Sequence, residues 1–192
     1  QHTAEPVRVL DEVSRIVAPG GMLYLLVYAT EGFRWPLVQM LRPVAMHMGF
    51  EFFDRAVGKA GLAVNRRRTC LDDLFVPYID FYSWQCLRGM LEKRGFGRIE
   101  RWEKGMLDHE ETIDAYIVDM AGFRDLFRAA VKLAENKQAE SRAMLVASLD
   151  VIEKVMECVG AIAASNLNEK EKMYMTIGQG HHRVVAWKSS VL

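Results

Sequence analysis

The stretch PVRVLDEVSRIVAPGGMLYLLVYA, from Pro6 to Ala29, decides the fold class of this chain. Its first half, up to Val17, places valine or leucine at every third or fourth position, which is the spacing of an amphipathic helix. Pro19-Gly20-Gly21 ends that pattern. The second half, Met22–Ala29, is almost continuously apolar over the length of one strand, as is typical of a parallel strand covered on both faces. The stretch predicts a helix, a tight turn and a buried strand.

A second helix and strand follow later in the chain. Ser83 is placed to cap a helix over Trp84–Arg94, Gly95 ends it, and Gly97–Trp102 alternates as a strand does. A last strand is predicted at His182–Lys188. These elements indicate an α/β protein.

The segments between the predicted strands are largely helical in pattern. Pro36 to about Ala63 predicts one or two helices rich in methionine and phenylalanine, and Asn65–Arg68 is interpreted as a polar break. Leu71–Tyr82 is acidic, aromatic and interrupted by proline, and we interpret it as a structured loop of the kind that lines binding sites. Two long helical patterns between Met106 and Thr176 predict a helical hairpin with its turn near 136–140.

Composition narrows the possible partners. The 192 residues are 51% hydrophobic, with 25 basic and 25 acidic side chains, so no overall field attracts nucleic acid or anionic lipid. The longest apolar run is far shorter than the roughly 20 residues that span a bilayer, and we expect no membrane association. The three cysteines are widely separated, which favours a reducing cytoplasm. No histidine or cysteine spacing predicts a metal site.

The two helix–strand stretches carry a family resemblance. Gln1–Tyr28 resembles a stretch of class I S-adenosylmethionine-dependent methyltransferases, in which a strand end leads through a patterned helix and a proline-glycine-glycine turn to the fifth strand. The matching positions are Leu10, Glu12, Arg15 and Pro19-Gly20-Gly21. The later stretch SWQCLRGMLEKRGFGRIERW is similar to that family's next helix and sixth strand, joined at Gly95-Phe96, and the closing strand would be its seventh.

The resemblance implies a partial Rossmann-like fold containing the last three strands. The first and second of these strands would be parallel, and the last would lie antiparallel between them. Residues 1–105 would be the C-terminal half of the α/β domain, with lid helices at about 36–63. Residues 106–176 would be a helical hairpin inserted between the last two strands, and 177–192 the final strand.

The same resemblance implies a methyltransferase that uses S-adenosylmethionine on a small-molecule or natural-product acceptor. The family's glycine-rich cofactor motif has no counterpart in this sequence, so we expect a C-terminal portion that does not bind S-adenosylmethionine tightly alone. Gln1 and His2 would lie at the end of the fourth strand and contact the cofactor, since ligands of open α/β sheets bind beyond the carboxyl ends of strands.

Five further side chains are candidates for the methyl acceptor site. Tyr28 would end the fifth strand and is predicted to bind substrate, as are Tyr78 and Tyr82 in the acidic loop. Asp73 and Asp80 are the candidate general bases, since a hydroxyl or amine acceptor must lose a proton.

Two alternatives stay open at this point. In the first, the helical hairpin is a non-catalytic interaction module that forms a homodimer, because its regular spacing also suits a helix–helix interface. In the second, the chain is an incomplete gene product whose Met22–Ala29 strand has an exposed edge prone to association.

Overall fold

The computed structural model describes residues 2–101, 112–135, 139–178 and 180–190. Within these residues the chain is an α/β protein with eight helices and a curled, mixed sheet of four strands. In chain order the elements are α1 (Pro6–Ile16), β1 (Met22–Ala29), α2 (Arg34–Met48), α3 (Phe50–Ala60), α4 (Val64–Phe75), β2 (Phe81–Tyr82), α5 (Trp84–Glu92), β3 (Phe96–Arg101), α6 (Ile113–Leu133), α7 (Ala139–Ala163), α8 (Glu169–Ile177) and β4 (His181–Lys188).

The chain divides into two compact units. The sheet unit comprises Gln1–Gly32, Pro77–Glu110 and Gly178–Leu192, and it contains all four described strands with α1 and α5. The helical unit comprises Phe33–Val76 and Glu111–Ile177, and it contains the other six described helices. The chain therefore passes from the sheet unit into the helical unit twice.

Strand order in the sheet is β2-β1-β4-β3. β4 is antiparallel to both of its neighbours, so β1 and β3 run in the same direction, which confirms the predicted arrangement of the three strands. The register pairs Met22 with Trp187 and Tyr28 with His181. The sequence did not predict β2, a two-residue strand that pairs in parallel with the end of β1.

One face of the sheet carries the core of the sheet unit. Alternate residues of β1 and β4 pack there with α1 and α5, forming a cluster of Leu10, Leu23, Leu87, Leu91, Phe96, Val184 and Ala186. The opposite face of β1 stays exposed, with Met22 at 59% and Leu26 at 39% of full exposure. The expectation that β1 is covered on both faces is therefore wrong, because both described helices of this unit pack on one side.

The two long helices of the helical unit, α6 and α7, confirm the two long helical patterns predicted between Met106 and Thr176. The one or two helices expected from Pro36 to about Ala63 are confirmed as the two helices α2 and α3, which are separated at Gly49. α6 packs against both α7 and α3, burying Phe123, Leu126 and Phe127. The predicted hairpin turn falls largely on 136–138, outside the described residues. Among the described helices, none has the length and apolar composition that a membrane span needs.

Two local predictions between α3 and β2 are wrong. Asn65–Arg68 is not a break and Leu71–Phe75 is not a loop, because both belong to α4. Cys70, Leu71 and Leu74 lie on one side of this helix and are buried, so apolar spacing outweighs the local excess of charge. The helix ends just before Pro77, since proline disfavours helical backbone in the residue that precedes it.

Glycine is required where the chain returns to the sheet unit before β4. Gly178 has a φ of 69°, and a Cβ atom there would lie 2.4 Å from the carbonyl carbon of Glu31. The backbone conformation and the close approach both exclude a side chain. The turn at Gly178 therefore packs directly against the backbone of Glu31, two residues after the end of β1.

Replacing Gly178 with alanine is expected to lower the free energy of unfolding by about 2 kcal/mol or more, because strain and overlap act together. Gly160 is the matched control: it lies in α7 with open space around it, so Gly160→Ala should raise stability by about 0.5–1 kcal/mol. Urea unfolding followed by circular dichroism measures both. Equal effects of the two substitutions would contradict the close packing at Gly178.

Candidate functional site

An aromatic cluster lies at the carboxyl end of β1. The Tyr28 ring centroid is 5.5 Å from that of His2, 5.9 Å from that of Phe81 and 4.8 Å from that of His181. The strand register explains this, because Phe81 of β2 and His181 of β4 are the direct partners of Tyr28. We refer to these four residues as the strand-end cluster. Ligands of open α/β sheets bind at such strand ends.

His2 connects the strand-end cluster to the segment that precedes β2. Its Nδ1 lies 3.1 Å from the carbonyl oxygen of Tyr78 and donates the hydrogen bond, since a carbonyl can only accept. The Tyr78 side chain itself is 52% exposed. Gln1, the other residue predicted to contact the cofactor, lies outside the described residues. The structure thus places His2 beside the predicted substrate residue Tyr28.

Tyr82 and Asp80 belong to the same end of the sheet. Tyr82 pairs with Ala29, the last residue of β1. Burial raises the pKa of the Tyr82 hydroxyl, and the negative charge of Asp80 raises it further. His2, Tyr28, Tyr78, Asp80 and Tyr82, five of the predicted site residues, therefore lie in one unit near one strand end, although the Tyr82 side chain packs against the apolar core of that unit. Their roles as cofactor, substrate and base residues stay predictions.

Asp73, the other candidate base, has different surroundings. It lies in α4 of the helical unit, with its Oδ2 3.0 Å from a guanidinium nitrogen of Arg34. Arg42 donates to the Asp73 carbonyl oxygen at 2.9 Å. Burial raises the pKa of the Asp73 carboxyl group, and Arg34 opposes that shift. The sequence analysis placed Asp73 and Asp80 in one loop. In the structure Asp73 lies in α4, whereas Asp80 lies in the segment just before β2.

Asp73 is part of an ion-pair network that connects three helices. Asp119 of α6 pairs with both Arg34 of α2 and Arg66 of α4, and Arg34 also pairs with Asp73. The side chains are between 11% and 30% exposed, so water screens these pairs less than it screens surface pairs. Burial also raises the pKa of the nearby Cys70 thiol to about 12, which favours the protonated thiol over the thiolate.

Sequence reasoning assigned only a structural role to a histidine with unusual surroundings. His182 is fully buried, and its Nε2 lies 2.7 Å from the carbonyl oxygen of Tyr82. Among the described residues nothing bonds to its Nδ1 or to the buried Oε2 of Glu31. The sequence did contain a signal that the two adjacent histidines differ. Successive side chains of a strand point to opposite faces of the sheet, so the rings of His181 and His182 must lie on different faces.

The charge state of His182 reflects these surroundings. Burial lowers the pKa of its imidazole. The Tyr82 carbonyl and the Glu31 carboxylate act against that effect, and Arg101 adds to it. The ring is therefore held neutral, with its hydrogen on Nε2 because the carbonyl needs a donor.

The search for a metal centre among the described residues and the comparison with known proteins both gave negative results. The described part of the chain contains no group of three or more histidine, cysteine, aspartate or glutamate side chains that could hold a metal ion. Comparison of the sequence and structure with protein-family models, curated proteins and solved structures finds no match. Any function must therefore be argued from the fold and the strand end.

The pKa of His182 should respond in opposite directions to its two charged neighbours. Glu31→Gln removes a negative charge and should lower that pKa further, whereas Arg101→Met removes a positive charge and should raise it. Because the folded-state pKa is already below the usual 6.5, protonation opposes folding and stability should fall as the pH drops below that value. NMR titration of the His182 ring measures the shifts, and the same direction in both variants would contradict them.

Loss of Asp119 should destabilise the helical unit, because it leaves Arg34 with one partner and Arg66 with none of its described ion pairs. We expect Asp119→Asn to lower the free energy of unfolding by about 2 kcal/mol. The control is Glu153→Gln, which removes the surface pair with Arg128 and should cost about 0.5 kcal/mol or less. Urea unfolding compares them, and a smaller cost for Asp119→Asn would show that the network contributes no stability.

Proposed function

We propose that this chain is the C-terminal portion of an S-adenosylmethionine-dependent methyltransferase that acts on a small-molecule acceptor. The observation that carries the proposal is the position of β4, antiparallel between the parallel strands β1 and β3. The resemblance of the helix–strand stretches implies this arrangement for the fifth, seventh and sixth strands of that family. The sequence resemblance and the strand order thus support the same assignment.

The edge of β1 that faces away from β4 also supports the proposal, because it leaves room for further strands in the sheet. β2 pairs only with Tyr28 and Ala29, and no other described strand lies beside β1 on that side. Met22 and Leu26 are exposed although strands of this composition are normally covered on both faces. In the proposed enzyme, further strands and helices continue the sheet at this edge and hold most of the cofactor.

The chemistry of methyl transfer fits the composition of the strand end. Transfer from a sulfonium is an in-line displacement, for which a protein supplies orientation and a site with little water. Aromatic rings attract a cationic group and exclude water, and the strand-end cluster places three other rings around Tyr28. In this proposal His2 and Gln1 contact the cofactor, and Tyr28, Tyr78 and Tyr82 bind the acceptor.

Proton removal is assigned to the carboxylates. Asp80 acts on Tyr82 electrostatically and lies in the segment that also carries Tyr78, so it is the better placed of the two candidate bases. Asp73 is bound by Arg34 in the helical unit. The free cysteines Cys70, Cys86 and Cys158 support a cytoplasmic location for the enzyme.

The test compares two polypeptides by calorimetric titration with S-adenosylhomocysteine. The 192-residue chain is expected to be folded and to show no binding tighter than millimolar. The polypeptide extended through the reading frame upstream of Gln1 is expected to bind in the micromolar range and to transfer a labelled methyl group to an acceptor. In the extended polypeptide His2→Ala should weaken binding, whereas Glu153→Ala, at a surface position of α7 in the helical unit, should not.

Two results would overturn the proposal. Micromolar binding by the 192-residue chain alone would refute the claim that most of the cofactor site lies elsewhere. A folded extended polypeptide that fails to bind would refute the methyltransferase assignment. In that case, a stable dimer in light scattering would favour the alternative, an interaction module formed through α6 and α7, where Val118 and Val146 are exposed.

A further inference from the structure

The described contacts of the segment between Pro77 and Tyr82 are concentrated at its end, where the Tyr82 side chain packs against the apolar core and the Phe81 ring lies against that of Tyr28. The only regular structure of this segment is β2, which has two residues. These residues pair with Tyr28 and Ala29, and the Tyr78 carbonyl accepts the hydrogen bond from His2. His2 is itself exposed, so that bond competes with water.

His182 gives this segment an attachment to the interior of the sheet. β4 has paired strands on both sides, and His182 is its second residue, directly opposite Val27 of β1. The imidazole is fully buried and its ring centroid lies 6.0 Å from that of Trp84. From this fixed position Nε2 reaches the Tyr82 carbonyl oxygen at 2.7 Å, the shortest distance expected of such a bond.

Burying a histidine at this position costs free energy of folding, because its polar ring nitrogens lose their hydration. The one hydrogen bond described for the ring therefore indicates why a histidine stands here. Its Nδ1 is buried without a partner among the described residues, and so is Oε2 of the nearby Glu31. A leucine would avoid the cost of burying that nitrogen and would match the apolar residues Val184 and Ala186 along the same face. What leucine lacks is a donor for the carbonyl at the end of β2.

We propose that His182 is a positioning residue that holds the Pro77–Tyr82 segment at the carboxyl end of β1 through its Nε2–H bond to the Tyr82 carbonyl. The segment carries Tyr78, Asp80 and Tyr82, so fixing its end fixes where these side chains meet a ligand. The inference rests on the proposed function only for what the segment binds. The attachment itself is a property of the chain without any ligand.

The experiment is hydrogen–deuterium exchange of the 192-residue chain, read by mass spectrometry on a peptide covering 77–83. His182→Leu should speed exchange of that peptide roughly fivefold, as expected when one buried hydrogen bond is lost. His182→Gln, whose amide can still donate, should restore much of the protection. His47→Leu is the matched control: it removes the histidine contact to Ser141 in the helical unit and should leave the peptide unchanged.

A spectroscopic signature accompanies these variants. In the unsubstituted protein, nitrogen NMR of the His182 ring should show the hydrogen on Nε2 and a bare Nδ1 at neutral pH. This reading needs no substitution, so it tests the proposal even where His182→Leu fails to fold.

Three outcomes would overturn the inference. The first is unchanged exchange of the 77–83 peptide in folded His182→Leu. The second is an equal rise across peptides of β1 and β3, which would indicate general loosening of the sheet unit. The third is a ring hydrogen on Nδ1. None of these measurements uses S-adenosylmethionine, so they fail or succeed independently of the methyltransferase test.

Discussion

The sheet unit depends on the insertion of β4 between β1 and β3. β1 lies near the start of the sequence and β4 near its end, so this pairing closes a loop that contains all of the helical unit. Closing so long a loop costs entropy, which the backbone hydrogen bonds and the buried Val184 and Ala186 must offset. β1 and β3 have no hydrogen bonds to each other, and β4 is what joins them.

The same pairing produces the candidate site. Because β4 runs antiparallel to β1, its first residues lie at the carboxyl end of β1, where His181 meets Tyr28 on one face. His182 is one residue further and points to the other face, where it reaches Tyr82. A shift of one residue in this register would exchange the two histidines between faces, and both contacts would be lost.

The helical unit is stabilised by different means. Its apolar core, with Phe53 and Phe127 at a ring distance of 5.2 Å, is accompanied by the ion-pair network of Arg34, Asp73, Asp119 and Arg66. Partly buried charged groups lose hydration, and ion pairing must offset the free energy that this loss costs. Since each helix contributes a charge that only the others neutralise, the network favours one packing of α2, α4 and α6 over alternatives.

Much of the fold was predictable from local pattern. Helical spacing and an apolar strand composition located α1, β1, α5, β3 and the long helices, because burial on one face imposes a period on the sequence. Prediction failed between Asn65 and Phe75, where charged residues suggested a break and a loop. There the tertiary packing of Cys70, Leu71 and Leu74 outweighed the local signal.

The sequence by itself determined the class of fold, the positions of its principal elements and the residue types available for a site. Only the tertiary structure decided which of those residues meet. It separated Asp73 from Asp80, gathered His2, Tyr28, Phe81 and His181 at one strand end, and gave His182 a partner 100 positions away. The physical reason is that strand register and side-chain pairing join distant residues, and such contacts leave no periodic mark on the local sequence.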